Sequence, residues 1–213
     1  MYTPTHFAVD AEEAAAFLSR IDAADLVTVT EQGLLATFLP LLYVPRAGAY
    51  GSLCGHLARK NEQWQTPAIG DALVIAHGED AYVRPGWYPS KAEHGRVVPT
   101  WNYTTAHVYG ELVVHDDEAW VDENVRGLTA RQEAGREHAW SVDDAPPAFV
   151  AGQLRAIVGV EVRISRVEAK FKMSQNQKDA NIDGVVAGLE VEGRADVAQL
   201  VQRLRPEREA DAL

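Results

Sequence analysis

Polar and apolar residues alternate along most of the middle of this chain, and stretches with helical spacing stand before and after. Ala14, Phe17, Leu18 and Ile21 fall at i, i+3, i+4 and i+7 behind Asp10 and Glu13, a capping-box-like start, and predict an amphipathic helix. "LVTVT" (26–30) alternates and is β-branched, which predicts a strand. Gly33 marks a turn, and "LLATFLPLLYV" predicts a second strand. Pro40 lies inside that run. It cannot donate to a ladder, so it is expected on an edge or at a bulge. "PRAGAYG" predicts a further turn, and a third short strand starts over 50–54. "DALVIAHG" and "AYVRP" predict two extended pieces around Gly78, and the stretch 96–114 is the longest strand candidate.

Asp116 and Asp117 are placed to cap a helix with Val121, Val125 and Leu128 on its inner face. "DDAPPAFVAGQLRAIVG" offers an Asp cap, two prolines in a first turn, and Phe149, Val150, Leu154 and Ile157 along one side. In "VGVEVRISRVEAKFKM" the residues Val158, Val160, Val162 and Ile164 share a strand face, and the slip at Ser165 and Arg166 predicts a bulge or bend. Ile182, Val185, Val186 and Leu189 fit a helix, as do Val197, Leu200, Val201 and Leu204; fraying is expected after Pro206. The sum is six or seven strands joined mostly by short turns, hence antiparallel, with helices before, late within and after them. Such spacing predicts a mainly β, α+β fold of barrel type. Strand and helix do not alternate as a doubly wound sheet requires.

Composition narrows the function. The 213 residues fit one domain, with a boundary near 190 setting off a C-terminal helix and tail (191–213). A formal net charge of −11 argues against direct DNA binding, because phosphate contacts need clustered Lys and Arg. The longest apolar run is too short to span a bilayer, and the N-terminus lacks a basic start and apolar core, so no membrane partner and a cytoplasmic location are expected. The one cysteine, Cys54, rules out an intrachain disulfide and a cysteine-based zinc site. The seven histidines are dispersed and no HExxH is present, so no metal site is expected. Cys54 near His56 has the residue types of a thiol nucleophile, but its apolar strand setting favours a small buried hydrophobe.

Four stretches carry more polar or aromatic character than packing requires. "GHLARKNEQW" places His56, Arg59, Lys60 and Asn61 where a strand gives way to a helical turn, which suits a phosphate; its plainer reading is a solvated surface helix. "RPGWYPSK" is a proline-bracketed loop with Ser90 and Lys91; its plainer reading is a rigid turn with Trp87 folded inward. In "VVPTWNYTTAHVYG", Trp101 and Tyr103 share a strand face, while Asn102 points the other way and needs partners. In "KFKMSQN", Lys170 and Lys172 share a face ahead of Ser174, Gln175 and Asn176; the plainer reading is a solvated face and a helix cap at Ser174. Crowding of this kind is either a packed corner or the wall of a pocket for a flat ligand.

In order, "MYTPTHF", "GHLARKN", "YVRPGWYPSK", "VVPTWNYTTAHVYG" and "KFKMSQN" resemble the PaiB family of FMN-binding proteins, described as negative transcriptional regulators. The likeness runs from Met1 to about Leu189, with departures at Lys60, Glu62, Arg84 and Gly86. It implies an antiparallel split β-barrel with peripheral helices, of the FMN-binding split-barrel type. It also implies a homodimer holding FMN at its interface, each site lined by both chains. The resemblance places His56, Arg59 and Asn61 near the phosphate, helped by Ser90 and Lys91. It places Trp101, Asn102 and Tyr103 near the dimer seam and the flavin, and closes the pocket with Lys170, Lys172, Ser174 and Gln175. Two function classes follow: a flavin-binding regulator, a repressor or redox sensor, and an FMN-dependent oxidoreductase using NAD(P)H or a small-molecule donor. A third is a haem-binding barrel with His56 or His107 as ligand. No residue stands out as acid or base, so whether the chain is an enzyme stays open at this point.

Overall fold

The computed structural model describes residues 1–45 and 50–206. The turn expected over "PRAGAYG" lies partly, and the fraying after Pro206 wholly, outside the described residues. The order of elements is α1 (Ala11–Arg20), β1 (Ala23–Thr30), β2 (Gly33–Val44), β3 (Ser52–Ala58), β4 (Ala72–Val83), α2 (Ser90–His94), β5 (Thr100–His115), α3 (Glu118–Glu133), α4 (Pro147–Leu154), β6 (Ile157–Lys172), α5 (Asp179–Val191) and α6 (Ala195–Arg203). The strands close into a barrel in the order β1-β2-β3-β6-β5-β4. β1 pairs antiparallel with β2 and β4, and β3 pairs antiparallel with β2 and β6. The expected α+β antiparallel barrel is therefore the fold, and no helix among the described residues is long and apolar enough to cross a membrane.

The chain divides into two compact units. The first comprises Met1–Asp10, His77–Thr105 and Ala169–Leu213; the second comprises Ala11–Ala76 and Ala106–Glu168. In the first, Ala81, Val83, Tyr88, Met173, Ile182, Val185, Leu189, Val197 and Val201 form one buried cluster. Val197 and Val201 of α6 thus belong to that unit's core. In the second, strand alternation buries Leu26, Leu39, Leu41, Leu53 and Leu57, and also Val158, Val160 and Val162.

Several elements depart from the pattern. The two extended pieces around Gly78 are one strand, β4. Pro40 pairs with Ala23 of β1 alone, and the ladder to β3 starts only at Leu41, so its other side is unpaired, as the expected edge setting requires. It stands where the strand changes partner, so its missing N–H interrupts neither ladder. Asp117 does cap α3, accepting from the Trp120 N–H at 2.9 Å, but the buried face is Val121, Asn124 and Leu128, with Val125 only half buried. α4 starts behind Pro146 rather than an aspartate, Phe149 is exposed, and Ile157 already belongs to β6. Ser165 and Arg166 are both exposed, so the alternation slips where the pattern said it would.

Candidate functional site

In the first unit the start of β5 sorts its side chains by parity. Trp101 is 48% exposed and Tyr103 half buried, whereas Asn102 is fully enclosed. Asn102 and Ser174 satisfy each other: the amide Nδ2 donates to Ser174 Oγ at 3.0 Å, and the hydroxyl donates to Oδ1 at 3.1 Å. Ser174 does not cap a helix. With φ of 66°, it is the one described non-glycine residue at positive φ, and α5 begins behind Lys178 instead. Gln175 fastens the same turn, accepting from Met173 N–H and donating to the Phe171 carbonyl, both at 2.6 Å. A left-handed serine costs about 1–3 kcal/mol and persists only where its surroundings over-determine it, as these bonds do.

On the opposite face of β5, Lys170 and Lys172 stand over the Tyr103 ring at 5.4 and 5.9 Å, within cation–π range. Lys172 donates to the Trp101 carbonyl at 2.9 Å and to Thr100 Oγ1, and Lys170 to the Tyr2 carbonyl at 3.3 Å. Burial pushes the Lys172 pKa below the usual lysine value; Tyr103 opposes this and Lys170 adds to it. Tyr82, 47% exposed, lies 6.0 Å from the Trp101 ring. The result is an open aromatic surface with two ammonium groups at its side.

The "RPGWYPSK" loop splits its roles. Trp87 packs against α5, as the plainer reading had it. Ser90 is buried, with its N–H donating to Asn181 Oδ1 at 3.4 Å, and Lys91 is exposed on α2.

In the second unit His56 lies on β3 opposite Gly159, with Nδ1 buried and without a hydrogen-bond partner among the described residues. Burial lowers its pKa below the ordinary histidine value, which favours the neutral ring. Arg59 is already engaged: Nη2 donates to Asp116 Oδ1 at 2.6 Å and to the Ile157 carbonyl at 3.0 Å, and Nε to the Arg155 carbonyl at 2.8 Å. Asn61 caps the turn Glu62–Trp64, accepting from Gln63 N–H at 2.8 Å and donating to Thr37 Oγ1 at 3.0 Å. Gln63, which the sequence did not single out, is buried and ties that turn to Leu26, Thr28 and Leu35.

A second polar group had no signal beyond a charged residue inside an apolar alternation. Glu161 on β6 accepts from Ser52 Oγ at 2.7 Å and pairs with His115 Nε2 at 2.9 Å. The His115 ring stacks on Trp120, 4.1 Å away and 6° from parallel. A Cβ on Gly159 would come within 2.3 Å of the Trp120 ring, so the missing side chain lets the indole lie down on β6. Burial raises the Glu161 pKa, but the bonds from Ser52 and His115 and the charge of Arg163 outweigh it and hold it below the ordinary glutamate value. Cys54 is buried nearby and its thiol is pushed up to about 12, first by burial and then by Glu161 and Glu123. It is no nucleophile. Held protonated, native Cys54 is expected to resist iodoacetamide at about pH 8 for hours and to be alkylated within minutes in denaturant; rapid native labelling, read by mass spectrometry, would refute the raised thiol pKa.

Residues 1–166 match the sequence family described as "Putative FMN-binding domain". A Bacillus subtilis relative, "Protease synthase and sporulation protein PAI 2", is 31% identical over 205 residues, covering 95% of both chains. The chain belongs to the PaiB family of FMN-binding proteins. An uncharacterized Aspergillus fumigatus protein is 32% identical over 173 residues, 66% of each chain. Among solved structures, the flavocytochrome Anf3 of Azotobacter vinelandii superposes with a TM-score of 0.57 at 15% identity, covering 76% of this chain and 67% of that one. A conserved hypothetical protein of Mycobacterium tuberculosis superposes at 0.58 with 10% identity, covering 84% and 94%. These likenesses support the split-barrel fold. FMN is the cofactor of this family, and it supplies redox chemistry through its ring when bound. The aromatic surface of β5 and its two ammonium groups suit an anionic, planar group of that kind.

Proposed function

We propose that this PaiB-like protein is a flavin-dependent regulator or redox sensor that holds FMN between two copies of the chain. The observation that carries the reading is the aromatic surface of exposed Tyr82 and Trp101 and half-buried Tyr103 beside Lys170 and Lys172. Trp101 covers the apolar part of the ring, and the ammonium groups serve the anionic parts of the cofactor. Asn102, Ser174 and Gln175 act through the turn that sets Lys172 in place, since their polar atoms are engaged with one another and with the backbone. His56 has an unused buried nitrogen for a ligand, whereas Arg59 and Asn61 first serve the chain's own architecture.

A second copy finds its seat on β1 and β2. Val29, Leu34 and Phe38 are 45%, 71% and 68% exposed, and Val29 pairs directly with Leu34. The net charge of −11 makes an indirect effect on transcription the favoured route: the flavin's occupancy or oxidation state would be read by another protein rather than by DNA.

The test is a titration of the apo-protein with FMN, followed by flavin fluorescence. Wild type is expected to saturate at one FMN per chain. Lys172→Gln and Trp101→Ala are each expected to weaken binding roughly tenfold or more, the loss of one charge-assisted contact or one aromatic contact. Absence of saturable binding, or a Soret band in the purified protein in place of flavin absorption, would sink the reading.

A further inference from the structure

We propose that the cavity beneath α3 in the second unit is a separate small-molecule site, built for a neutral or cationic ligand with a carboxamide or lactam edge. The inference does not depend on where FMN binds. It begins with Asn124. This residue follows Val121 by three positions and precedes Leu128 by four, so it occupies the inward stripe of α3 where an apolar side chain is expected. It is only 6% exposed, and neither Oδ1 nor Nδ2 has a hydrogen-bond partner among the described residues. A buried amide left with both its acceptor and its donor unpaired is unfavourable, and native structures tolerate few such groups without a reason.

Asn124 lines a cavity of about 220 Å³. Leu42, Val44, Cys54 and Trp120 give it an apolar side, and Glu123 and Glu161 give it carboxylates. The indole is held by its stack on His115, and Glu161 is held at both oxygens, by Ser52 and by His115. These features specify the ligand. The amide asks for a neighbouring acceptor and donor, as a carboxamide or lactam presents. No basic side chain lines the cavity, so carboxylates and phosphates are disfavoured. The volume is below the roughly 300 Å³ at which drug-sized pockets begin, which limits the body to about one aromatic ring.

Three probes share one ring and differ only in the features at issue: nicotinamide, 1-methylnicotinamide and nicotinate. Each is titrated by calorimetry into the full-length, FMN-loaded protein. Nicotinamide and its cationic methyl derivative are expected to bind saturably, and nicotinate at least tenfold more weakly. Asn124→Leu is expected to bind nicotinamide at least tenfold more weakly while keeping or raising the melting temperature, because it removes an unpaired buried amide. Asn124→Asp, which keeps the size but loses the donor and adds a charge, serves as the second variant and is expected to lose nicotinamide binding likewise. Equal affinity for nicotinate, undiminished binding to either variant, or no binding of any probe up to about 10 mM would overturn the proposal; the last result would mean that ordered water satisfies Asn124.

Discussion

Replacing Gly184 by alanine is expected to destabilise the protein by about 2 kcal/mol or more, although alanine is the better helix former. Gly184 lies in α5, and a Cβ there would fall 2.0 Å from the carbonyl oxygen of Trp87 and 3.2 Å from Pro89 Cδ. The obstacle is backbone, which cannot swing away as the tip of a side chain can. The loop has no slack in the same direction, because the Trp87 ring lies over Gly188, where a Cβ would meet ring carbons at 2.3 Å. Tyr88, the next residue, is buried in the cluster beneath. Alanine's helix propensity adds about 1 kcal/mol in the opposite sense, so the sign of the result is informative. Gly152→Ala in α4 is the control: its Cβ would meet nothing nearer than Arg155 Nη2 at 4.0 Å, and it is expected to stabilise slightly. Thermal unfolding should place Gly184→Ala several degrees below wild type and Gly152→Ala at or above it. Equal melting temperatures would mean that the Trp87 loop does not rest on α5.

That contact also marks the limit of what could be read from the sequence. Periodicity within a segment is local, and it was legible: the parity of Trp101, Asn102 and Tyr103 held, as did the buried faces of β6 and α5. The five motifs in order were enough to place the chain in an FMN-binding family. What local pattern cannot give is the partner of a polar group. Ser174 looked like a helix cap because its neighbours are polar. Its role is set by Asn102, 72 positions away, and by a left-handed backbone that no serine announces. Arg59 looked like a phosphate ligand, and its ion pair is with Asp116, 57 positions on. Asn124 was hidden because it interrupts an apolar stripe by a single residue, which reads as noise unless the burial is known. Pro40 was legible as an unpaired position, but a change of ladder partner within one strand, which leaves it unpaired, is not visible along the chain.

If two copies pair through β1 and β2 as proposed, Phe38→Glu is expected to convert the dimer to monomer at micromolar concentration while leaving each chain folded. Phe38 faces outward from β2, so a glutamate there is solvated in the single chain and little stability is lost. Across the strand its register partner is Asp25, so the new charge also meets an existing one. In a twofold dimer the same patch serves both copies, and the substitution therefore counts twice. An uncompensated charge buried in such a seam weakens association by about 3–5 kcal/mol, on the order of a thousandfold. Sedimentation velocity reads the assembly state, and the bound flavin reads what the second copy contributes. If FMN is lined by both chains, the monomer should release it together with its partner. A folded monomer that retains FMN would assign the cofactor to one chain and leave the aromatic surface of β5 as its complete site. A variant that remains dimeric would remove β1 and β2 from the interface, and with them the proposed seat of the second copy.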